Sequence, residues 1–168
     1  MEAVGSGEKR VRRALLLRNG RARNGSSDIR LALRILDGAG LRVEETACDS
    51  AGAMADEIRG RASGLDCILV GGGDGTLNCA APALVETGLP LGILPLGTAN
   101  DLARTLGIGP DLGQAARIIA DGHEKSVDIG EVNGRLFFNV ASIGFSAELA
   151  ARAADIARDL RRLVDPLV

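Results

Sequence analysis

Four glycines surround one carboxylate in VGGGDGTLN, residues 70–78, where Gly71, Gly72, Gly73 and Gly75 flank Asp74. A loop without β-carbons lets backbone N–H groups converge on an anion, and a helix start adds its own amides and partial positive charge. That is the chemistry of phosphate binding, although tight strand-to-helix turns also use glycine. A carboxylate in such a loop opposes it, by about 4 kcal/mol for unit charges at 4 Å and an effective dielectric of 20. The conflict disappears if a divalent cation joins Asp74 to the phosphates, or if Asp74 accepts a proton from an attacking hydroxyl. The plain alternative is a cap on the helix that follows. Thr76 and Asn78 offer a hydroxyl and an amide for further hydrogen bonds.

The stretch LGILPLGTAND, residues 91–101, repeats the arrangement: an apolar run, then Gly97, Thr98, Ala99, Asn100 and Asp101. Asn100 and Asp101 can equally cap a helix through Leu102 and Leu106. Neither stretch contains G-x-x-x-x-G-K-[ST] or G-x-G-x-x-G, and no lysine occurs between Lys9 and Lys125.

Alternating elements must hold these loops. Ala14 to Leu17 is a short apolar run ending in Arg18-Asn19-Gly20, a buried strand entering a turn. Ser26, Ser27 and Asp28 are candidate N-caps for a helix with Ile29, Leu33 and Leu36 on one face, closed by Gly38 and Gly40. Leu41 to Thr46 reads as a second strand, and a second helix runs through Met54, Ile58 and Arg61 to a stop at Gly64. Leu65 to Val70 and Leu91 to Leu96 are the third and fourth strands. The helical pattern between them, Thr76 to Glu86, contains Pro82, which predicts a kink or a late start. Strands that are apolar throughout and alternate with helices predict a parallel sheet covered on both faces, an α/β nucleotide-binding architecture. Ligands of such sheets bind beyond the strands' carboxyl ends, where both glycine stretches lie.

A helix over Leu112 to Ala120 ends this pattern. Val127–Val132 and Arg135–Val140 then flank Asn133-Gly134, the strongest short hairpin signal. A nucleotide-binding domain over 10–122 is therefore expected, with the truncated start of a β-rich domain over 123–168. Residues 145–164 carry a helical stripe of Phe145, Leu149, Ile156, Leu160 and Leu163, with Glu148 and Arg152 four apart. An isolated hairpin is marginal in water, so a missing domain or a partner chain, including a second copy in a homodimer, is expected to complete it.

Composition narrows the partners. Of 168 residues, 46% are hydrophobic and 25% charged, which permits a packed core. Three phenylalanines are the only aromatic residues and the net charge is −2, so neither base stacking nor a general attraction to nucleic acid is available. Cys48, Cys67 and Cys79 fit neither a redox nor a zinc spacing and read as reduced thiols of a cytoplasmic protein. His123 is the only histidine and is expected in an exposed loop. The residues preceding the first strand lack the apolar region of a signal peptide, and no apolar run is long enough to span a bilayer. The basic run Lys9–Arg13 reads as a solvated lead-in, and Arg152, Arg158, Arg161 and Arg162 as a solvated or docked helix face with peripheral membrane contact as the alternative.

GGDGTLN at 72–78 followed by PLGTANDLARTLGI at 95–108 resembles the catalytic domain of the diacylglycerol kinase and sphingosine kinase group, nearest the soluble bacterial lipid kinases. VDIGEVNGRLFFNVASIGFSAEL at 127–149 is also similar, and in that family it opens a β-sandwich second domain. The resemblance implies a two-domain kinase using ATP and Mg²⁺ on a lipid substrate such as diacylglycerol. It implies nucleotide contacts at Asn19, Thr46, Gly72, Gly73, Asp74, Gly75, Thr76, Leu77, Asn78, Thr98 and Asn100. In the sphingosine kinases the aspartate matching Asp74 activates the lipid hydroxyl, which implies the catalytic role here, whereas bacterial relatives give the base role to a late acidic residue of the second domain. As the carboxylate beside the phosphates, Asp74 is also the candidate Mg²⁺ ligand. The family's Asn-Pro after the first strand is Asn19-Gly20 here, which removes the fixed φ of proline. NAD kinases share a GGDGT loop but differ after the fourth strand, and a non-catalytic nucleotide-binding fragment is the rival from another class.

Overall fold

The computed structural model describes residues 12–19 and 26–138. Strand β1 (Arg12–Asn19) carries Ala14, Leu15, Leu16 and Leu17, all buried, because β1 is internal to the sheet and covered on both faces. Helix α1 (Ser26–Gly38) leads to β2 (Leu41–Cys48), and α2 (Ala51–Arg61) with a short 3₁₀ turn (Ala62–Gly64) leads to β3 (Cys67–Gly72). Helix α3 (Asp74–Thr87), β4 (Leu91–Pro95), α4 (Asp101–Thr105) and α5 (Leu112–Asp121) complete the unit. The four strands are parallel in the order β2-β1-β3-β4. The chain reverses its direction of travel across the sheet between β1 and β3, so the strand ends there form the crevice typical of such sheets.

Side-chain alternation along β1 divides the core in two. Leu15 and Leu17 pack with Met54, Ile58, Leu77, Ala80 and Leu84 under α2 and α3. Ala14 and Leu16 pack with Ile29, Ala32, Leu36, Leu112 and Ala116 under α1 and α5. Each fully buried leucine contributes about 1.5–3 kcal/mol relative to exposure. Ser50 caps α2 by accepting the Ala53 N–H at 3.1 Å, and Asp111 caps α5 by accepting that of Gln114 at 2.8 Å. Gly88 and Gly122 close α3 and α5 at φ 65° and 70°. The described part of the basic run is structural: Arg13 pairs with Glu44 at 2.9 Å and Arg12 donates to the Ala120 carbonyl at 3.0 Å.

Three expectations about the elements require correction. The third strand runs over Cys67–Gly72 instead of 65–70, because Leu65 follows the 3₁₀ turn and because Gly71 and Gly72 pair with Leu94 and Pro95. The next helix begins at Asp74, since Gly73 already accepts the N–H groups of Thr76 and Leu77 at 2.9 and 3.1 Å. It continues as one helix through Pro82, whose missing N–H leaves the Asn78 carbonyl without its usual intrahelical donor.

The hairpin is present but shorter than expected: β5 (Gly130–Val132) and β6 (Arg135–Phe137) are antiparallel about Asn133 and Gly134, at φ 50° and 73°. Both positive angles suit a two-residue hairpin turn that follows the strand twist. Residues 123–129, with His123 exposed, connect α5 to the hairpin without regular structure. The helical pattern over 145–164, its arginines and the rest of the expected second domain lie outside the described residues. No helix among the described residues is long and apolar enough to cross a membrane.

Candidate functional site

The two glycine loops touch. A β-carbon on Gly97 would collide with the Gly73 Cα, and one on Gly73 would lie 3.0 Å from the Gly97 Cα. Leu96 donates its N–H to the Gly72 carbonyl at 3.1 Å and so carries the β3–β4 pairing into the loops. Glycine at 73 and 97 is therefore a packing requirement, and it fuses two strand ends into one surface. Gly72 is a strand residue whose absent side chain makes room for Thr76, since a β-carbon there would sit 2.5 Å from the Thr76 Oγ1. Gly71 likewise yields space to Arg18 and Leu96. Gly75 differs from all of these: it is exposed, with nothing within 4 Å of an added β-carbon.

Asp74 does not cap the helix it starts, whose N-cap is Gly73. Its two carboxylate oxygens instead accept the N–H groups of Asp101 and Leu102, each at 3.0 Å, at the start of α4. An aspartate of the first loop thus supplies the N-terminal cap of the helix after the second. Asn100 occupies the N-cap position of α4 at φ 51° without a side-chain capping bond. Its side chain folds back on the loop, where Oδ1 accepts from the Gly97 N–H at 3.0 Å and Nδ2 donates to the Gly97 carbonyl at 2.7 Å. Asp101 forms an exposed pair with Arg104 at 3.5 Å.

Beside the first loop lies a cleft of about 190 Å³ between the starts of α2 and α3. Cys48, Asp49 and Ser50 line it from the carboxyl end of β2, and Gly75, Thr76 and Cys79 from α3, with Met54 at its base. The N-terminal ends of α2 and α3 flank it, and the partial positive charge of a helix N-terminus favours an anion. Among the described residues, Thr98 and Ala99 are exposed and their amides have no hydrogen-bond acceptor.

The sequence-predicted residues separate in space. Gly75 and Thr76 line the cleft, while Thr98 and Asn100 belong to the second loop and are joined to the first through Gly97 and Asp74. Leu77 is buried in the core and its N–H bonds to Gly73, so it supports the loop from behind. Asn78, two residues from Thr76, points to another side of α3, where its Oδ1 accepts the Phe138 N–H at 3.1 Å. Thr46 is half-buried, pairs with Leu17 and lies two residues before the end of β2, outside the cleft lining. Asn19 ends β1 in register with Cys48, and its side chain lies outside the described residues.

Asp49 and Ser50 were not singled out by sequence reasoning, although a polar pair between a strand and a helix is the available signal. All three cysteines are free thiols. Burial, then the charges of Glu57 and Asp49, raises the Cys48 thiol, and burial pushes that of Cys67 up to about 11. No group of three or more histidine, cysteine, aspartate or glutamate residues suited to a metal ion occurs among the described residues.

Similarity to known proteins runs along this same framework. The profile of the diacylglycerol kinase catalytic domain matches residues 13–132. A relative from Pseudomonas syringae named "Probable lipid kinase YegS-like" is 43% identical over 105 residues, 61% of this chain and 33% of that protein. A "Diacylglycerol kinase" of Staphylococcus epidermidis is 34% identical over 131 residues, 72% of this chain and 42% of that protein. The crystal structure of a diacylglycerol kinase from Bacillus anthracis superposes with a TM-score of 0.66 at 33% identity, covering 76% of this chain and 50% of that one. The chain thus spans half or less of the length of these relatives. With the profile match running from β1 through β5 and enclosing both glycine loops, the chain belongs to the diacylglycerol kinase catalytic domain family.

Proposed function

We propose that this chain forms the nucleotide-binding part of an ATP-dependent lipid kinase, which transfers the γ-phosphoryl group to a hydroxyl of diacylglycerol or a related lipid. The observation that carries the reading is the backbone contact between Gly73 and Gly97, which joins the two glycine loops at neighbouring strand ends into one surface. Phosphoryl transfer asks chiefly for positioning and charge neutralisation, and this surface supplies main-chain donors for both.

The polyphosphate would lie along the amide of Gly75 and the hydroxyl of Thr76 and along the amides of Thr98 and Ala99, with the rest of the nucleotide extending toward Asn19, Thr46 and the cleft wall at Asp49 and Ser50. The open space at Gly75 and the helix N-termini beside the cleft support this placement. Asp74 is the carboxylate at the junction of the loops and would hold Mg²⁺, which supplies charge neutralisation when bound. In the transfer the lipid hydroxyl oxygen forms a bond to the γ-phosphorus and the bond to the β–γ bridging oxygen breaks, releasing ADP. The hydroxyl proton passes to a carboxylate, either Asp74 or an acidic residue beyond the described part. The lipid would reach the site from a membrane surface that the protein contacts peripherally from the cytoplasm.

The test is titration of this chain with MgATP while following the amide resonances of residues 72–76 and 97–100, together with phosphoryl transfer by the whole protein to diacylglycerol, a long-chain base and NAD. Shifts in both loops and turnover of a lipid are expected. Unmoved resonances at millimolar MgATP, or phosphorylation of NAD alone, overturn the reading.

A further inference from the structure

Asp74 and Asn78 lie one helical turn apart on α3 and share a side of it, and both accept hydrogen bonds from distant main chain. Asp74 reaches the start of α4, 27 residues on, and Asn78 accepts the N–H of Phe138, 60 residues on. Phe138 also packs against the core cluster that contains Leu77, Ala80 and Leu84 of α3. The hairpin is a separate two-stranded sheet, with the Phe137 ring pressed on Gly130. Its approach from α5 is the largely exposed stretch 123–129, which has no regular structure. Asn78 is therefore the polar tie that sets the hairpin's height along α3, and the first turn of that helix carries Gly75 and Thr76.

We infer that Asn78 is a positioning residue: it fastens the start of the β-rich segment to the helix that presents the phosphate-facing loop, so the two parts of the protein share one frame. The nucleotide contact that the resemblance implies for Asn78 is a separate reading, which the Asn78→Asp variant distinguishes from this role. The catalytic consequence rests on the kinase reading above, whereas the structural consequence does not. If the tie holds, loss of the acceptor loosens Phe138 and leaves the loop intact. In turnover it misaligns the acceptor lipid relative to the nucleotide, so kcat falls while KM for MgATP stays near its original value.

Two variants of the whole protein test this. Asn78→Leu keeps the size and removes the acceptor, and Asn78→Asp keeps an acceptor oxygen and adds a negative charge. Hydrogen exchange at the Phe138 amide is expected to accelerate roughly ten-fold in Asn78→Leu, with α3 protection unchanged, and to return to the original rate in Asn78→Asp. Turnover should follow the same order, low in the leucine variant and restored in the aspartate variant. Equal exchange at Phe138 in the original protein and Asn78→Leu overturns the tie. A large rise in KM for MgATP in Asn78→Asp despite protected Phe138 assigns Asn78 to the nucleotide and overturns the positioning role. If the protein phosphorylates no lipid, the kinase reading fails and the exchange rates alone decide the tie.

Discussion

Gly97 lies so close to Gly73 that no side chain fits between them. The obstructing atoms are main chain, which cannot rotate aside, so Gly97→Ala must push the two loops apart. Overpacking of this kind costs about 1–3 kcal/mol. Thermal unfolding of Gly97→Ala should therefore occur several degrees lower, with weaker MgATP binding. Gly75→Ala is the contrasting case, because its β-carbon meets open space and alanine is the better helix former. Its melting temperature should hold or rise while MgATP affinity falls, since the added methyl occupies the approach to the amides. Intact affinity in Gly75→Ala would move the phosphates away from this turn.

The carboxylate of Asp74 links the loops by capping α4. Asp74→Ala leaves the N–H groups of Asp101 and Leu102 without that acceptor and should lower stability by about 1–2 kcal/mol. Asp74→Asn keeps one carbonyl oxygen and should lose less. Both should reduce phosphoryl transfer by roughly 100-fold or more if the carboxylate manages the cation or the proton. Calorimetric unfolding beside a turnover assay separates the two effects. A melting loss without a turnover loss would make Asp74 a capping residue only.

The sheet was legible because Leu15 to Leu17 and Ile68 to Val70 are apolar throughout, and such runs are read without knowing the partner strands. The hairpin was legible from Asn133-Gly134 alone, since few other pairs accept two positive φ angles. What each glycine does was not legible. Gly72, Gly73 and Gly97 answer to Thr76 and to each other, and those contacts depend on distances between strand ends that no local pattern encodes. Asp74 and Asn78 illustrate the same limit: capping and hydrogen-bonding residue types are visible in a sequence, but partners 27 and 60 residues away are not. The cleft wall at Asp49 and Ser50 was passed over because Ser50 presents only as an ordinary helix cap.

Asn100 holds the second loop closed from both sides of Gly97 while sitting at a positive φ. Asn100→Gly relieves the backbone and removes both side-chain bonds, whereas Asn100→Ala removes the bonds and adds the left-handed penalty of about 1–2 kcal/mol. The alanine variant should therefore be the less stable of the two in denaturant unfolding, and both should show faster hydrogen exchange at Gly97. Equal stability of the two variants would mean that the loop abandons its left-handed turn once the side chain is gone.

Cys67 links pH to the stability of the sheet. Its thiol sits at the start of β3, opposite Ala14 of β1, and burial raises its pKa from 9.0 to about 11. The unfolded chain therefore releases this proton at lower pH than the folded one. The contribution is complete below pH 9, declines as pH rises, and is gone above about 11. Because the group is partly exposed, solvent weakens the effect without changing its sign. Unfolding free energy measured from pH 8 to 11 should fall less steeply in Cys67→Ala than in the original chain, although the alanine variant starts from a lower value because it leaves a small cavity. Alkylation gives an independent reading: Cys67 should resist iodoacetamide at pH 8 in the folded protein and react once the chain is unfolded. Rapid labelling of folded Cys67 at pH 8, or identical pH slopes for the two proteins, would show that the thiol is not held in its neutral form by the sheet.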